Sequence, residues 1–291
     1  MHPKITEELI ALAERHLAAK DHAAAASCLD AATQLDPACL SAHNLRELHR
    51  LPGNFSDWVG VKAFVSVDDD IYKFFASHPT SLNPMRDYLS DGWRTTLELQ
   101  QLLEGQNRSL RECGSFLEFA CGHGRFTRHL VNYMAVDNIS VSDVVPGSID
   151  FLQAHWPVKG FYSTIAPEEL VIPQRYELIF VLSLFSHLPS RTWSAWLQKL
   201  YDALKPGGLL IFSTHGEKCA RMAGVSLNDQ GYAFYAGSES YALDGETYGC
   251  TYTSPAYVQA QVQQILGSDA AVQITPNHFW GNQDAVLLKA N

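Results

Sequence analysis

Short apolar runs alternate with amphipathic segments of helix length from residue 114 to the end of the chain. Each run has the length of a buried strand, and each intervening segment repeats apolar residues at the three- and four-residue spacing of a helix. The predicted strands are residues 115–119, 139–142, 176–182 and 208–213, and the predicted helices are 126–133, 149–155 and 192–204. This alternation predicts a parallel sheet with helices on both faces. Two further runs, 271–274 and 285–288, predict an antiparallel hairpin that closes the sheet edge.

The amino-terminal third has a different pattern. Residues 1–50 are rich in alanine and helical, with breaks at Asp21 and Pro37. Their packing positions resemble one tetratricopeptide unit, and an ordinary helical hairpin explains them equally well. A single unit cannot bury its own apolar face, so we expect it to pack on the rest of the chain or on a protein partner. Residues 51–112 are predicted to be a helical lead-in, and 113–291 the main domain, with an insertion at about 220–256.

Composition and net charge restrict the kinds of molecule that the chain is expected to bind. The chain of 291 residues is 46% hydrophobic and 18% charged, as in a folded globular protein, with a net charge of −10. We therefore expect neither a nucleic-acid partner nor an anionic membrane, because phosphates select clusters of Lys and Arg. The first residues do not have the pattern of a signal peptide, and the longest apolar stretch, 178–184, is too short to cross a bilayer. Six cysteines without a Cys-x-x-Cys pair predict reduced thiols, a cytoplasmic protein and no metal site.

Gly122 and Gly124 stand between the first predicted strand and the next helix. Glycines in such a turn adopt positive φ and allow a ligand to approach the backbone closely. Asp143 follows the second predicted strand about twenty residues later, where an acid can accept both hydroxyls of a ribose. The alternative for Asp143 is a helix N-cap or a surface turn. The combination predicts a nucleoside cofactor.

The acid before the loop, Glu118, distinguishes between two kinds of nucleoside cofactor. A dinucleotide site uses a third glycine to bring the helix close to the pyrophosphate, and here that position is Thr127. A carboxylate repels a pyrophosphate and attracts an ammonium or sulfonium. The loop therefore favours S-adenosylmethionine, with a dinucleotide oxidoreductase as an alternative.

Four ordered motifs resemble those of class I S-adenosylmethionine-dependent methyltransferases. The motifs are Glu118-Phe119-Ala120-Cys121-Gly122-His123-Gly124-Arg125, Asp143, Leu182-Ser183-Leu184-Phe185-Ser186-His187-Leu188, and Leu204-Lys205-Pro206-Gly207-Gly208. The resemblance covers roughly residues 88–291. It implies a seven-stranded Rossmann-like sheet, mostly parallel with the last strand antiparallel, preceded by an N-terminal helical extension. Ala120 departs from the glycine usual in the family, and we expect its small side chain to be tolerated.

The resemblance also implies the residues that hold the cofactor. Glu118 and the turn 120–124 would hold the methionine part, Asp143 the ribose, and Val144 the adenine. The complete implied set is Tyr88, Gly92, Glu118, Ala120, Cys121, Gly122, Gly124, Arg125, Asp143, Val144, Ser163, Thr164, Leu184 and Phe185. In this set Ser163 and Thr164 would lie near the adenine edge, and Leu184 and Phe185 beneath the sulfonium. For Tyr88, core packing is the alternative.

Two histidines are candidate catalytic residues. His187 and His215 follow the carboxyl ends of predicted parallel strands, where open α/β sheets build their sites. An imidazole can remove the proton of an acceptor hydroxyl, whereas a loop-capping or surface histidine is the alternative. Tyr232 and Tyr248 of the insertion are predicted to line the acceptor pocket, with ordinary packing as the alternative. The resemblance adds Gln283 to this pocket, because similar enzymes end near a Gln-Asp pair such as Gln283-Asp284.

These observations predict a cytoplasmic methyltransferase that acts on a small molecule. We expect oxygen as the acceptor atom, for example a sugar or another metabolite hydroxyl. The alternative from another class is a catalytically weak cofactor-binding adaptor that uses its N-terminal helices for protein interaction.

Overall fold

A computed structural model describes residues 3–238 and 240–291. The chain separates into two compact units, Met1–Trp93 and Arg94–Asn291, with the division inside one long helix. The domain boundaries predicted at residues 50 and 112 stay predictions. Across the described residues, no helix has the length and apolar composition needed to cross a membrane.

The first unit is helical. Its elements are α1 (Pro3–Ala18), α2 (His22–Leu35), α3 (Leu40–Leu48), α4 (Phe55–Val59), α5 (Asp70–Ser77) and the beginning of α6 (Pro84–Glu104). Small side chains such as Ala13, Ala25 and Ala32 form the core between the first three helices. The Asp21 side chain caps α2 by accepting a hydrogen bond from the Ala24 amide, which explains the predicted break there.

The second unit is a seven-stranded α/β domain. Its strands are β1 (Phe116–Phe119), β2 (Ile139–Asp143), β3 (Lys159–Tyr162), β4 (Tyr176–Val181), β5 (Leu204–Thr214), β8 (Val272–Phe279) and β9 (Gln283–Lys289). The order in the sheet is β3-β2-β1-β4-β5-β9-β8. The first five strands are parallel, and β9 is antiparallel to both β5 and β8. The predicted fold class is therefore confirmed.

Helices cover the two faces of this sheet. They are the end of α6, α7 (Thr127–Leu130), α8 (Ser148–His155), α9 (Ser190–Asp202), α10 (Glu217–Met222) and α11 (Pro255–Leu266). Alternate residues of β4 enter two separate cores, because successive side chains of a strand point to opposite faces. Leu178 and Phe180 lie in one core, and Ile179 and Val181 lie in the other.

Several element bounds differ from the predicted ones. The helix predicted over residues 126–133 is only the four-residue α7, since irregular turns follow it. The strand predicted to begin at 208 begins at Leu204, because Leu204 already pairs with Tyr176 before a shift of register. Asp143, predicted to follow the second strand, is its last residue.

A two-stranded ribbon is built from the insertion after β5. Strands β6 (Tyr232–Tyr235) and β7 (Cys250–Thr253) pair antiparallel to each other. The amide of Thr251 donates to the Ser186 carbonyl at 2.7 Å, and the amide of Thr253 donates to the His215 carbonyl at 2.9 Å. The ribbon is thus fastened to the residues that follow β4 and β5.

The strand register gathers the predicted site at one edge of the sheet. Carboxyl ends of parallel strands meet at the same edge. Phe119 pairs with Ser142 and with Val181, and the antiparallel β9 begins at this edge, where Asp284 pairs with Thr214. The glycine loop, the segment after β4, the segment after β5 and the start of β9 are therefore neighbours.

The turn before β5 provides a matched pair of stability tests. A Cβ atom on Gly208 would lie 2.8 Å from the Lys205 carbonyl oxygen and 3.0 Å from that of Tyr176. Gly207 has a φ of 69° and open space around it. We expect Gly208→Ala to lower the free energy of unfolding by about 2–3 kcal/mol through the clash. Gly207→Ala should cost about 1 kcal/mol through its backbone conformation. Urea unfolding of both variants measures this, and an equal or smaller loss for Gly208→Ala would contradict the packing.

Candidate functional site

The glycine loop leaves β1 through a series of left-handed residues. Ala120, Gly122 and Gly124 have φ values of 63°, 53° and 82°. The amides of Ala120 and Cys121 both donate to the Ser142 carbonyl, at 2.8 and 3.2 Å, which holds the loop against β2. The φ of Ala120 gives the physical reason why glycine is favoured there, since a side chain in this region is strained.

Gly122 and Gly124 of the loop differ in what a side chain at each position would meet. A Cβ on Gly124 would lie 2.3 Å from Cδ2 of Leu152, so this residue allows α8 to pack closely. A Cβ on Gly122 would meet nothing within 4 Å. Gly122 therefore leaves open space beside the loop, where a ligand can approach the backbone.

Glu118 is a buried acid at the base of the loop. Its Oε2 atom accepts a hydrogen bond of 2.5 Å from the Thr127 hydroxyl. Burial raises the pKa of Glu118 to about 8, while the Thr127 hydrogen bond and the charge of Arg125 oppose this rise. The site therefore has a carboxyl group that a bound cation would ionise.

Asp143 connects β2 to the loop. Its Oδ2 atom accepts from the Gly122 amide at 2.7 Å, and its Oδ1 atom accepts from the Val145 amide at 2.8 Å. Burial raises the pKa of Asp143, and these two backbone hydrogen bonds oppose the rise. The residue is only 6% exposed and the N-cap of α8 is Gly147, so neither alternative for Asp143 describes it. Each carboxylate oxygen has a second lone pair, which can accept a hydrogen bond from a ribose hydroxyl.

The residues predicted for the adenine side follow β2 and β3. Val144, Ser163 and Thr164 are half-buried. The Ser163 amide donates to the Asp143 carbonyl at 2.8 Å, which places the end of β3 beside the acid. The Thr164 hydroxyl donates a hydrogen bond to the Ala166 carbonyl at 2.7 Å.

The segment after β4 has its own left-handed residue, Ser183, with a φ of 60°. The Ser183 amide donates to the Ser213 hydroxyl at 2.8 Å. Gln283, at the start of β9, donates from Nε2 to the Ser183 hydroxyl at 2.9 Å. Leu184 and Phe185 are buried, and the Phe185 ring packs at 4.3 Å from that of Phe212. This network of side chains fixes the carboxyl ends of β4 and β5 relative to β9.

The structure brings the two candidate histidines together. The ring centres of His187 and His215 lie 5.8 Å apart, and Tyr248 stacks on His187 at 4.4 Å. His187 Nδ1 lies 2.6 Å from the Gly249 carbonyl oxygen. A carbonyl can only accept, so Nδ1 carries the proton and Nε2 of the neutral ring carries the lone pair. Burial lowers the pKa of His187 to about 4, so this ring is neutral at pH 7.

His215 differs from His187 in its surroundings. It is half-buried, with its Nδ1 atom 3.8 Å from the Cys250 thiol. Its ring lies 5.4 Å from that of Tyr252, and a backbone bridge joins these two residues. The ribbon thus supplies one wall of the histidine pair.

Other predicted residues lie in cores. Tyr232 is 9% exposed and packs at 5.0 Å from the Tyr257 ring. In the first unit, Tyr88 is fully buried and donates to Asp69 at 2.6 Å, and Gly92 is buried in α6. These contacts describe Tyr88 and Tyr232 as packing residues, and the functional roles predicted for Tyr88, Gly92 and Tyr232 stay predictions.

Two residues of the site, Thr127 and Arg128, have no role implied by the motifs, whereas Cys121 belongs to the predicted cofactor turn. Thr127 occupies the position of the third glycine of a dinucleotide site, and its hydroxyl donates a hydrogen bond to Glu118. Cys121 is buried, which raises its thiol pKa well above the ordinary value and keeps it protonated. Arg128 is fully buried and donates from Nε to the Gly124 carbonyl at 2.9 Å. Within the described part of the chain, no group of three His, Cys, Asp or Glu side chains is arranged to hold a metal ion.

Comparison with known proteins identifies the family of the chain. The family model for a methyltransferase domain matches residues 90–258. A malonyl-[acyl-carrier protein] O-methyltransferase of Calditerrivibrio nitroreducens is 28% identical over 126 residues, 40% of this chain and 46% of that protein. The matched segment thus spans about half the length of this curated relative.

One solved structure shares the fold, and a second has a lower similarity. The Streptomyces venezuelae protein DesVI has a TM-score of 0.50 and 11% identity, over 76% of this chain and 98% of that chain. Magnesium protoporphyrin IX methyltransferase from Synechocystis PCC 6803 with bound SAH has a TM-score of 0.47 and 14% identity, over 81% of this chain and 100% of that chain. At 11% identity, the likeness to DesVI bears on the fold alone.

The raised pKa of Glu118 makes stability depend on pH. Its folded pKa of about 8 lies above the model-peptide value of 4.5, so the stabilisation is complete below pH 4.5 and is lost as the pH rises towards 8. We expect Glu118→Gln, which removes the ionisation, to raise the unfolding free energy of the ligand-free protein by about 2–4 kcal/mol at pH 8 and by much less at pH 4.5. Denaturant unfolding at the two pH values measures this. An equal effect at both would show that Glu118 ionises normally.

Proposed function

Because the chain belongs to the methyltransferase-domain family, we propose that it binds S-adenosylmethionine at the carboxyl edge of its sheet and transfers the methyl group to a small-molecule hydroxyl. Family membership follows from the match to residues 90–258, and the predicted family is thereby confirmed. The cofactor supplies a methyl carbon activated by its positively charged sulfur. What the chain itself must do is bind, orient, exclude water and receive a proton.

The observation that supports this cofactor most strongly is the buried carboxyl of Glu118. S-adenosylmethionine carries an ammonium and a sulfonium, and either charge compensates a buried carboxylate. A dinucleotide would instead place a doubly charged pyrophosphate next to two buried acids, Glu118 and Asp143. The electrostatics of the loop therefore favour the sulfonium nucleoside over the dinucleotide.

Each part of the cofactor has a candidate partner at this edge. Glu118 and the open backbone around Gly122 suit the methionine part, and Asp143 suits the ribose hydroxyls. The half-buried residues Val144 and Ser163 suit the adenine. Their common position follows from the register of β1, β2 and β3.

His187 is the proposed general base. Its Nδ1–H is fixed on the Gly249 carbonyl, so its Nε2 lone pair is available to accept the proton of an acceptor hydroxyl. The low pKa of the ring keeps it unprotonated at pH 7, and it also makes this imidazole a weaker base than a solvated histidine. The aromatic ring of Tyr248 stacks on the imidazole and would exclude water from one side of it. His215 and Gln283 lie at the same edge and are proposed to contact the acceptor.

Loss of the carboxylate that is proposed to bind the ribose should weaken cofactor binding. We expect Asp143→Ala to raise the dissociation constant for S-adenosylmethionine by roughly 10- to 100-fold, because hydrogen bonds to a charged group contribute about 1.5–3 kcal/mol. Isothermal titration calorimetry measures this, with an unfolding curve to show that the variant is folded. Asp137→Ala, which removes the same charge at an exposed position, is the control and should bind normally. Unchanged affinity in Asp143→Ala would remove Asp143 from the site.

Loss of the base should affect turnover and spare cofactor binding. The probe is release of S-adenosylhomocysteine in the presence of a small-molecule metabolite extract. We expect His187→Gln to slow release by roughly 100-fold or more, the usual contribution of general base catalysis, with an unchanged dissociation constant for S-adenosylmethionine. A wild-type protein that binds the cofactor and releases no product would favour the adaptor alternative. A His187→Gln variant with full activity would exclude His187 as the base.

A further inference from the structure

The turn between β8 and β9 holds a tryptophan in an uncommon backbone conformation. Trp280 has a φ of 57°, and the next residue, Gly281, has a φ of 67°. The pairing of β8 with β9 shifts register between Thr275 and Phe279, just before this turn. A bulky residue in the left-handed region is a genuine exception and persists only when its surroundings hold it.

Three hydrogen bonds join Trp280 to α6. The Trp280 amide donates to both carboxylate oxygens of Glu98, at 3.1 and 3.0 Å. The indole Nε1–H donates to the Thr95 hydroxyl at 3.1 Å. Because the backbone and the far edge of the indole are both fixed on the last three turns of α6, the plane of the ring is fixed as well.

The face of this ring is occupied by Arg125. The guanidinium carbon of Arg125 lies 5.0 Å from the centre of the Trp280 ring, which is a cation–π distance. Arg125 directly follows Gly124 in the glycine loop, and its charge stabilises the ionised form of Glu118. Glu98 therefore contacts Trp280, Trp280 contacts Arg125, and the charge of Arg125 acts on the acid at the base of the loop.

We propose that Trp280 is a positioning residue, which holds Arg125 at the distance from Glu118 that cofactor binding requires. The inference rests on the proposed function, because it assigns Glu118 to the cation of S-adenosylmethionine. It adds a residue far along the sequence that no motif identifies. Trp280 acts through Arg125 and is not itself a catalytic residue.

The other groups around Glu118 also affect its ionisation, and therefore the pH dependence of cofactor binding. Thr127 donates to it, and the negative charge of Asp143 opposes its ionisation. Cys121, in the same loop, stays a neutral thiol. The strand neighbours of Glu118, Val141 and Phe180, are apolar. A displaced Arg125 would therefore leave Glu118 harder to ionise.

The experiment measures S-adenosylmethionine affinity by calorimetry between pH 6 and 8 in the full-length protein. Trp280→Leu removes both the ring face and the Thr95 hydrogen bond, whereas Trp280→Phe keeps a ring for Arg125. We expect Trp280→Leu to weaken binding about five- to tenfold at pH 7 and to move the pH dependence to higher pH. Trp280→Phe should restore most of the affinity. Trp58→Leu, at an 81% exposed tryptophan of the first unit, should behave as wild type.

A double variant separates positioning from a purely structural role of the turn. If Trp280 acts through Arg125, then Arg125→Leu and the double variant Arg125→Leu/Trp280→Leu should bind with the same affinity and the same pH dependence. Fully additive losses, or a Trp280→Leu variant with wild-type affinity and pH dependence, would overturn the inference while the wild type still binds. A wild-type protein that does not bind S-adenosylmethionine would instead overturn the proposed function, and the inference with it.

Discussion

The carboxyl of Glu118 is buried where β1 ends and the glycine loop begins. Burying an ionised carboxylate is costly unless hydrogen bonds or a cation compensate it. Thr127 provides a hydrogen bond and Arg125 a favourable charge, and burial still dominates, leaving the pKa of the group at about 8. The ligand-free site is therefore held in a protonated form that a cation would convert to an ion pair.

The neighbouring features follow from this constraint. Asp143 uses its two oxygens to hold the amides of Gly122 and Val145, so the second acid also sets the shape of the loop. The left-handed Ala120 turns the chain away from the strand and leaves space beside Gly122. The charge of Asp143 disfavours ionisation of Glu118, and a cationic ligand would favour it. A site built in this way selects a positively charged nucleoside and disfavours one that carries phosphates.

Much of this arrangement is visible in the sequence because it depends on local patterns. Buried parallel strands are short apolar runs, so β1, β2 and β4 were predictable to within one or two residues. The common position of Glu118 and Asp143 was predictable because each lies at the end of such a run, and the carboxyl ends of parallel strands meet at one edge of the sheet. The length of α7 was not predictable, since its apolar spacing continues into turns.

Other features of the structure depend on contacts between segments that are far apart in the sequence. His187 meets Gly249 and Tyr248 only because the ribbon returns to the end of β4, 62 residues after His187 in the case of Gly249. Trp280 reaches Arg125 through a left-handed turn and a hydrogen bond to Thr95, 185 residues earlier in the chain. Tyr232 has the sequence signature of a pocket aromatic, and its partners place it in a core. No local periodicity encodes such pairings, because they are set by the topology of the sheet.

The most direct test of the central claim is the number of protons released when the cofactor binds. Calorimetric titration of S-adenosylmethionine at pH 7, in two buffers of different ionisation enthalpy, measures this number. Because Glu118 is mostly protonated at pH 7 in the ligand-free protein and ionised beside the bound cation, we expect release of most of one proton. Binding without proton release would contradict the account, since Glu118 would then be either already ionised or not in contact with the cation.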